Sequence, residues 1–230
     1  MDPQTLPDRE RALYNAIKER YTVAFEPLRI KEYQLHLLRL TDLEQILDGR
    51  NPLQDVSAFP FWIKLWEAAI VLSEFIAGLP QERPAGVLEL GAGLGVPGLT
   101  AAAAGYTVTL TDYEEMILDF ERVNAAASKL TNVRFALLDW LKPPEMERYD
   151  IILGAEILFR EEFFAPLLGV LRKALNPGGV VYLAHDIKRR SLKPFLDMAE
   201  QEYRIAASQR KLKSLDQDKT ILLTRLQPRH

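Results

Sequence analysis

The segment Glu89-Leu90-Gly91-Ala92-Gly93-Leu94-Gly95 holds the densest cluster of residues with a chemical reading. Glycines at alternate positions let a backbone turn sharply and approach a ligand closely. A turn of this kind between a buried strand and a helix serves two cofactor classes, dinucleotides and S-adenosylmethionine, and the glycines alone do not choose between them. Three neighbours favour the methyl donor. The spacing is G-x-G-x-G rather than the G-x-G-x-x-G that seats a pyrophosphate on a helix N-terminus. Glu89 stands immediately before the turn, where a carboxylate repels a diphosphate but suits ammonium and sulfonium charge. Asp112 closes the following strand and can accept both hydroxyls of a ribose, a service it would give NAD equally.

Further along, Asp139-Trp140 joins a hydrogen-bond acceptor to an aromatic face. Glu156-Ile157-Leu158-Phe159, after the fourth expected strand, then sets a carboxylate three residues before an aromatic ring. A buried carboxylate can orient an amine nucleophile, and an aromatic wall can desolvate it and contact cationic nitrogen. Glu156 and Phe159 are therefore the candidate catalytic residues. The run Phe159 to Phe164 reads either as a substrate lip or as the start of a solvated helix. His185, followed by Asp186, reads either as a general base near its ordinary pKa of about 6.5 or as a hydrogen-bonded wall residue. Lys188-Arg189-Arg190 reads as a solvated loop that can meet an acidic protein surface.

These residues need elements to hold them. Pro7 and Asp8 mark a helix start, and Leu13, Ala16, Ile17 and Tyr21 repeat at helical spacing. Alternation near Val23 and Phe25, and again near Leu35 and Leu37, predicts short strands, and Leu47 to Leu53 predicts a loop. Residues 1–58 are thus expected to form an α+β extension, and 59–230 the main domain. Within the latter, Leu65, Ala69, Leu72 and Ile76 give a helix stripe, made amphipathic with Trp62. Strands are expected at Gly86–Leu90, Tyr106–Asp112, Val133–Leu138, Tyr149–Gly154 and Val180–Ala184, the last entered by a turn over Asn176–Gly179. Helices alternate with them, which implies parallel β-α-β units and a doubly wound α/β sheet. After a helix over Ser191–Glu202, the strands Tyr203–Ala207 and Thr220–Thr224 follow without a helix between them, so the final strand should run antiparallel.

Taken together, Glu89 to Gly95, Asp112, Asp139-Trp140 and the closing hairpin resemble the class I, seven-stranded S-adenosylmethionine-dependent methyltransferases, over residues 60–226. Leu65-Trp66-Glu67-Ala68-Ala69 and Leu138-Asp139-Trp140 are similar, more narrowly, to the small protein-lysine methyltransferases, with nicotinamide N-methyltransferases as more distant relatives. The resemblance implies a Rossmann-like seven-stranded sheet and S-adenosylmethionine as cofactor. It implies that Gly91, Gly93 and Trp66 line the methionine part, that Asp112 and Tyr113 lie by the ribose, and that Asp139 and Trp140 take the adenine. Glu89 and Ala155 complete the implied cofactor site. The implied acceptor is a lysine side chain of a protein, with a small amine or another metabolite as the alternative. Relatives usually carry Asp-x-x-Tyr where this chain has Glu156-x-x-Phe159. The charge is kept on a longer arm and the phenol is missing, which bears on the acceptor and leaves methyl transfer untouched.

Composition sets the outer bounds. The chain has 230 residues, 48% hydrophobic and 27% charged, enough for a sizeable core and against disorder. The net charge of −3 argues against a nucleic-acid partner. With no cysteine and three histidines, neither a thiol nucleophile nor a metal site is expected. No apolar stretch approaches the roughly 20 residues of a membrane span. The first residues lack the basic-then-apolar order of a signal peptide, so a cytoplasmic protein is expected. An NAD-dependent oxidoreductase and an inactive methyltransferase-fold binding module remain as competing readings. Oligomeric state is not legible.

Overall fold

A computed structural model describes residues 1–42, 62, 64–80, 85–212 and 218–229. The loop expected over Leu47–Leu53 and the boundary drawn at 58/59 lie outside the described residues. Helix α1 spans Asp8–Arg20, with Asp8 and Glu10 in its first turn and Lys18 and Arg20 in its last, each complementing the helix dipole. Strands β1 (Val23–Ile30) and β2 (Tyr33–Leu40) follow. The short alternating stretches thus grow into one continuous antiparallel hairpin, in register from Val23 opposite Leu40 to Ile30 opposite Tyr33. Lys31, at φ 49°, turns the chain between them.

The second layer system is a seven-stranded sheet in the order β5-β4-β3-β6-β7-β9-β8. Its strands are β3 (Gly86–Leu90), β4 (Thr107–Asp112), β5 (Val133–Leu137), β6 (Tyr149–Ala155), β7 (Leu175–Asp186), β8 (Tyr203–Leu212) and β9 (Lys219–Pro228). β3 to β7 are mutually parallel, and β9 runs antiparallel to both of its neighbours, as the missing helix before it required. The expected turn over Asn176–Gly179 does not break the strand. It is absorbed in β7 as a bulge, with Tyr149 opposite Leu175 and then Ile151 opposite Val180, and Gly178 at φ 77° lets the extra residues loop out.

Helices α2 (Glu67–Ile76), α3 (Val96–Ala103), α4 (Glu115–Ala127), α5 (Phe164–Ala174) and α6 (Leu192–Ala199) cover both faces. α2 begins after Leu65 and Trp62, which therefore do not belong to its stripe, and α6 stops before Glu200. The period-two alternation of β3 sorts the core. Val87 packs in one layer with Leu72, Leu99 and Leu110, while Leu88 and Leu90 pack in the other with Leu171, Leu183 and Phe195. A third cluster joins Tyr14 and Ile17 of α1 and Leu38 of β2 to Phe120 and Val123 of α4. Asn124 reinforces it: its Oδ1 accepts the Leu38 N–H at 2.6 Å while its Nδ2 donates to the Leu94 carbonyl at 3.2 Å. The chain runs outward from β3 through β4 to β5 and returns to β6 on the other side of β3. In open α/β sheets that switch point, at the carboxyl ends of the strands, is where ligands bind.

Candidate active site

Two turns flank the switch point: the glycine turn after β3 and the Glu156 turn after β6. Gly91 and Gly93 both lie at φ 58°, a region that residues with a Cβ avoid. A Cβ on Gly91 would stand 3.1 Å from Ile157 Cγ2 and 3.7 Å from Trp140 Cζ2, and one on Gly93 would stand 3.3 Å from the Trp62 carbonyl oxygen. The turn is a narrow cradle with an aromatic wall, a shape that fits the amino-acid half of S-adenosylmethionine.

Asp112 ties this cradle down. Its Oδ2 accepts the Gly93 N–H at 2.9 Å and its Oδ1 the Tyr113 N–H at 2.8 Å. Each oxygen keeps lone-pair capacity for a further donor such as a ribose hydroxyl. Burial lifts this carboxyl to about 6 against the pull of those two donors. Glu89 behaves otherwise than its position suggests. Its buried Oε2 accepts the Gly98 N–H at 2.7 Å, in the first turn of α3, a tie to the helix that its position beside the turn does not reveal. Burial raises it to about 8 although that N–H favours its charged form. The donor-rich end of a helix explains the preference. The Gly93 and Gly98 amides of the turn and of the first turn of α3 are thus already engaged by the Asp112 and Glu89 side chains.

After β5, exposed Asp139 accepts the Leu141 N–H through Oδ1 at 2.9 Å, leaving Oδ2 available. Trp140 is half-buried beside Gly91 and meets Phe163 edge-on, ring centroids 6.1 Å apart. Phe163 in turn lies 5.7 Å from the exposed ring of Phe159. An aromatic row thus runs from the glycine turn to the Glu156 turn. Phe163 is its middle member, and the Phe-rich run after Phe159 was its signal. Tyr113 is exposed next to Asp112, Ala155 ends β6 opposite Ala184, and Trp66 caps the start of α2 with the Lys64 ammonium 4.3 Å from its ring.

The Glu156 turn is held from several sides. Glu156 itself sits at φ 57°, unusual for a residue with a side chain, and its N–H donates to the Ala184 carbonyl at 2.9 Å. Leu158 donates its N–H to His185 Nε2 at 3.3 Å and accepts the Ser191 hydroxyl through its carbonyl. Burial, aided by the Arg189 charge, pushes His185 down to about 3, so the imidazole is neutral, and its Nε2 is engaged by the Leu158 N–H. The Glu156 Oε1 accepts the Asp186 N–H at 2.6 Å, and Oε2 accepts Arg189 Nε at 2.6 Å with Nη2 converging on the same oxygen. Arg189 is therefore not the solvated loop residue that Lys188-Arg189-Arg190 suggests. Beside this pair an open cleft of about 500 Å³ is lined by Phe159, Asp186 and Lys188 to Ser191.

Comparison with known proteins fits this geometry. The family model described as lysine methyltransferase matches residues 55–202. Protein N-lysine methyltransferase METTL21A of Xenopus tropicalis is 33% identical over 62% of this chain and 68% of its own length. EEF1A lysine methyltransferase 3 of Mus musculus is 35% identical over 54% of this chain and 56% of its own. A crystal structure of a SAM-dependent methyltransferase from Agrobacterium tumefaciens superposes with a TM-score of 0.62 at 22% identity, covering 89% of this chain and 70% of that one. The glycine cradle is in place, and the chain belongs to the lysine methyltransferase family and is an S-adenosylmethionine-dependent methyltransferase.

Proposed function

We propose that this methyltransferase acts on the ε-nitrogen of a lysine in a protein partner. The observation that carries the reading is the placement of the Glu156 carboxylate at the end of β6, beside an aromatic row and a cleft open to solvent. Such a cleft admits a long, flexible side chain from a macromolecule while the row desolvates its nitrogen. Relatives named as protein lysine methyltransferases support the same acceptor.

In this reading Gly91, Gly93 and Trp66 hold the methionine part, Asp112 and Tyr113 the ribose, and Asp139 and Trp140 the adenine. Ala155, the last residue of β6, completes the cofactor side. Glu89 contributes indirectly, by fixing α3 and thus the shape of the glycine turn. When bound, S-adenosylmethionine supplies the methyl group, which joins the acceptor's lone pair as the carbon–sulfur bond breaks and its electrons remain on sulfur. The protein's own task is to bring an unprotonated amine into line, and Glu156, Phe159 and Phe163 orient it and exclude water. The alkylammonium that results releases its proton to solvent.

The same proposal divides the chain into an extension over 1–58 and a methyltransferase unit over 59–230, in the cytoplasm. No helix among the described residues is long and apolar enough to cross a membrane. The test is incubation of a cell lysate with tritiated donor and the protein, followed by mass spectrometry of labelled species. Methyl-lysine in a protein is the expected product; label confined to small molecules would replace the acceptor with a metabolite.

A further inference from the structure

We propose that Arg189 is a positioning residue for methyl transfer: by holding Glu156 in an ion pair, it presents the acceptor nitrogen with a neutral site instead of an anionic one. The inference rests on the lysine reading above and deepens it.

The geometry makes the pair a built feature. Both nitrogens of Arg189 that reach Glu156 converge on Oε2, and the other oxygen is occupied by the Asp186 N–H. The Glu156 side chain is 7% exposed and that of Arg189 25%, so solvent screens the pair poorly. The backbone of Glu156 is in a left-handed conformation that only surrounding contacts sustain, and Glu156 Oε1 is one of the points where β7 holds the turn. With Oε2 committed to the guanidinium, only the remaining lone pair of Oε1 is left to orient the acceptor nitrogen, and it does so without an uncompensated negative charge. That matters because only the unprotonated amine has the lone pair that forms the new nitrogen–carbon bond. A lone Glu156 carboxylate beside the acceptor would stabilise the ammonium and so hold back the nucleophile. With Arg189 in place the two charges offset each other.

Other charges near the acceptor side are accounted for. Asp186, on β7, takes the Lys188 N–H with Oδ1, and Glu161, Lys188 and Arg190 rim the cleft. Arg160 pairs with Glu162 after β6, and His185 beneath the turn is neutral. None of these charged side chains pairs with the Glu156 oxygens, so a change at Glu156 or Arg189 alters the local charge by one unit in a known direction.

The test is a charge cycle on the protein that accepts tritium from labelled S-adenosylmethionine in a lysate, read as the acid limb of kcat/KM against pH. Arg189→Met leaves Glu156 unpaired, and the limb should move up by about one pH unit. Glu156→Gln leaves Arg189 unpaired, and the limb should move down by a similar amount. The double variant removes both charges and should return it to the wild-type position, with S-adenosylhomocysteine affinity by calorimetry unchanged within about twofold throughout. Arg189→Lys keeps the charge and should leave the limb in place, which preserves the test if Arg189→Met fails to fold. In the cofactor-free wild type, the Arg189 Nε–H resonance should exchange slowly with solvent and should lose that protection in Glu156→Gln. Limbs that stay fixed, or move in the same direction in both single variants, would overturn the inference. A wild-type enzyme that labels no protein would overturn the lysine reading itself, so the two failures are distinct.

Discussion

Replacing Glu121 by methionine should make the protein more stable, and by a wider margin at alkaline than at acid pH. Glu121 lies on α4 with its side chain fully buried, and neither carboxyl oxygen has a hydrogen-bond partner. Its Cγ stands 3.6 Å from where a Cβ on Gly95 would be, directly against the glycine turn. Burial, reinforced by Asp112 and Glu89, raises this carboxyl well above its ordinary range, and Arg122 opposes only weakly because it already pairs with Glu115 and Asp119. An unsatisfied buried polar group costs about 1–3 kcal/mol. Methionine removes both oxygens, adapts to the space, and matches glutamate in helix propensity. The gain should therefore be about 1–3 kcal/mol near pH 5, or some 2–4 °C in Tm for each kcal/mol in a chain of this size.

The pH dependence follows from proton counting. A carboxyl raised on folding keeps its proton in the native state where the unfolded chain has released it. Stability is then fullest below the unfolded value and is lost as pH rises toward the folded one, at up to about 1.4 kcal/mol per unit for each such group. Glu89, raised to about 8, and Asp112, raised to about 6, act in the same direction as Glu121. Wild-type stability should thus decline between about pH 4.5 and 8, and Glu121→Met should remove part of the slope. Urea unfolding followed by tryptophan fluorescence near pH 5, 6.5 and 8 reads both quantities. A variant that is less stable throughout, or one whose gain is identical at all three, would show that Glu121 has a partner in solution and refute the reasoning.

Three further outcomes test the site. Asp112→Asn should weaken S-adenosylhomocysteine binding by about 10- to 100-fold, since an amide both loses charge and presents a donor to the Gly93 or Tyr113 N–H; unchanged affinity by calorimetry would place the ribose elsewhere. Gly91→Ala should cost about 1–2 kcal/mol in stability from its left-handed backbone alone. It should also displace Ile157, which a Cβ would approach to 3.1 Å, and thermal unfolding with and without S-adenosylhomocysteine measures both effects. Asn124→Ala strands the Leu38 N–H and the Leu94 carbonyl and should cost about 2–4 kcal/mol. Faster amide exchange at Leu38 is its signature, and an unaltered exchange rate would show that the hairpin is held by its apolar face alone.

What could be read in advance follows a physical division. The sheet was legible because buried parallel strands such as Val87-Leu88 and Ile151-Ile152-Leu153 are apolar on both faces and are punctuated by glycine. The antiparallel end was legible because no helix among the described residues separates Tyr203 from Thr220. The hairpin of β1 and β2 was underestimated because Pro27 and the adjacent pair Leu37-Leu38 interrupt the alternation. Proline is tolerated there because β1 is an edge strand, paired only with β2. Within the site, residue types were legible and partners were not. Glu89 was visible as a carboxylate beside a turn, but its bond to Gly98 depends on how closely α3 approaches β3. Arg189 lies 33 residues from Glu156, and nothing local in Lys188-Arg189-Arg190 distinguishes the half-buried arginine from its exposed neighbours.

The extension has a closer relation to the chemistry than its place at the start of the chain suggests. β2 lies with its free edge toward α4, and its backbone donors would be left open there. His36 gives its N–H to Ser128 Oγ at 2.9 Å and Leu38 gives its own to Asn124 Oδ1 at 2.6 Å, both side chains belonging to α4 or its end. Asn124 then reaches the Leu94 carbonyl, inside the glycine turn. One amide side chain therefore connects the hairpin to the cofactor loop, and Phe120, one turn earlier on the same helix, meets Trp62, whose backbone lies over Gly93. Both routes converge on Gly93 and Leu94, whose conformation decides whether the cradle exists. A leader that served only to recruit a partner would have no need of contacts at that point. The physical arrangement instead makes the β1–β2 hairpin part of what holds the glycine turn in shape.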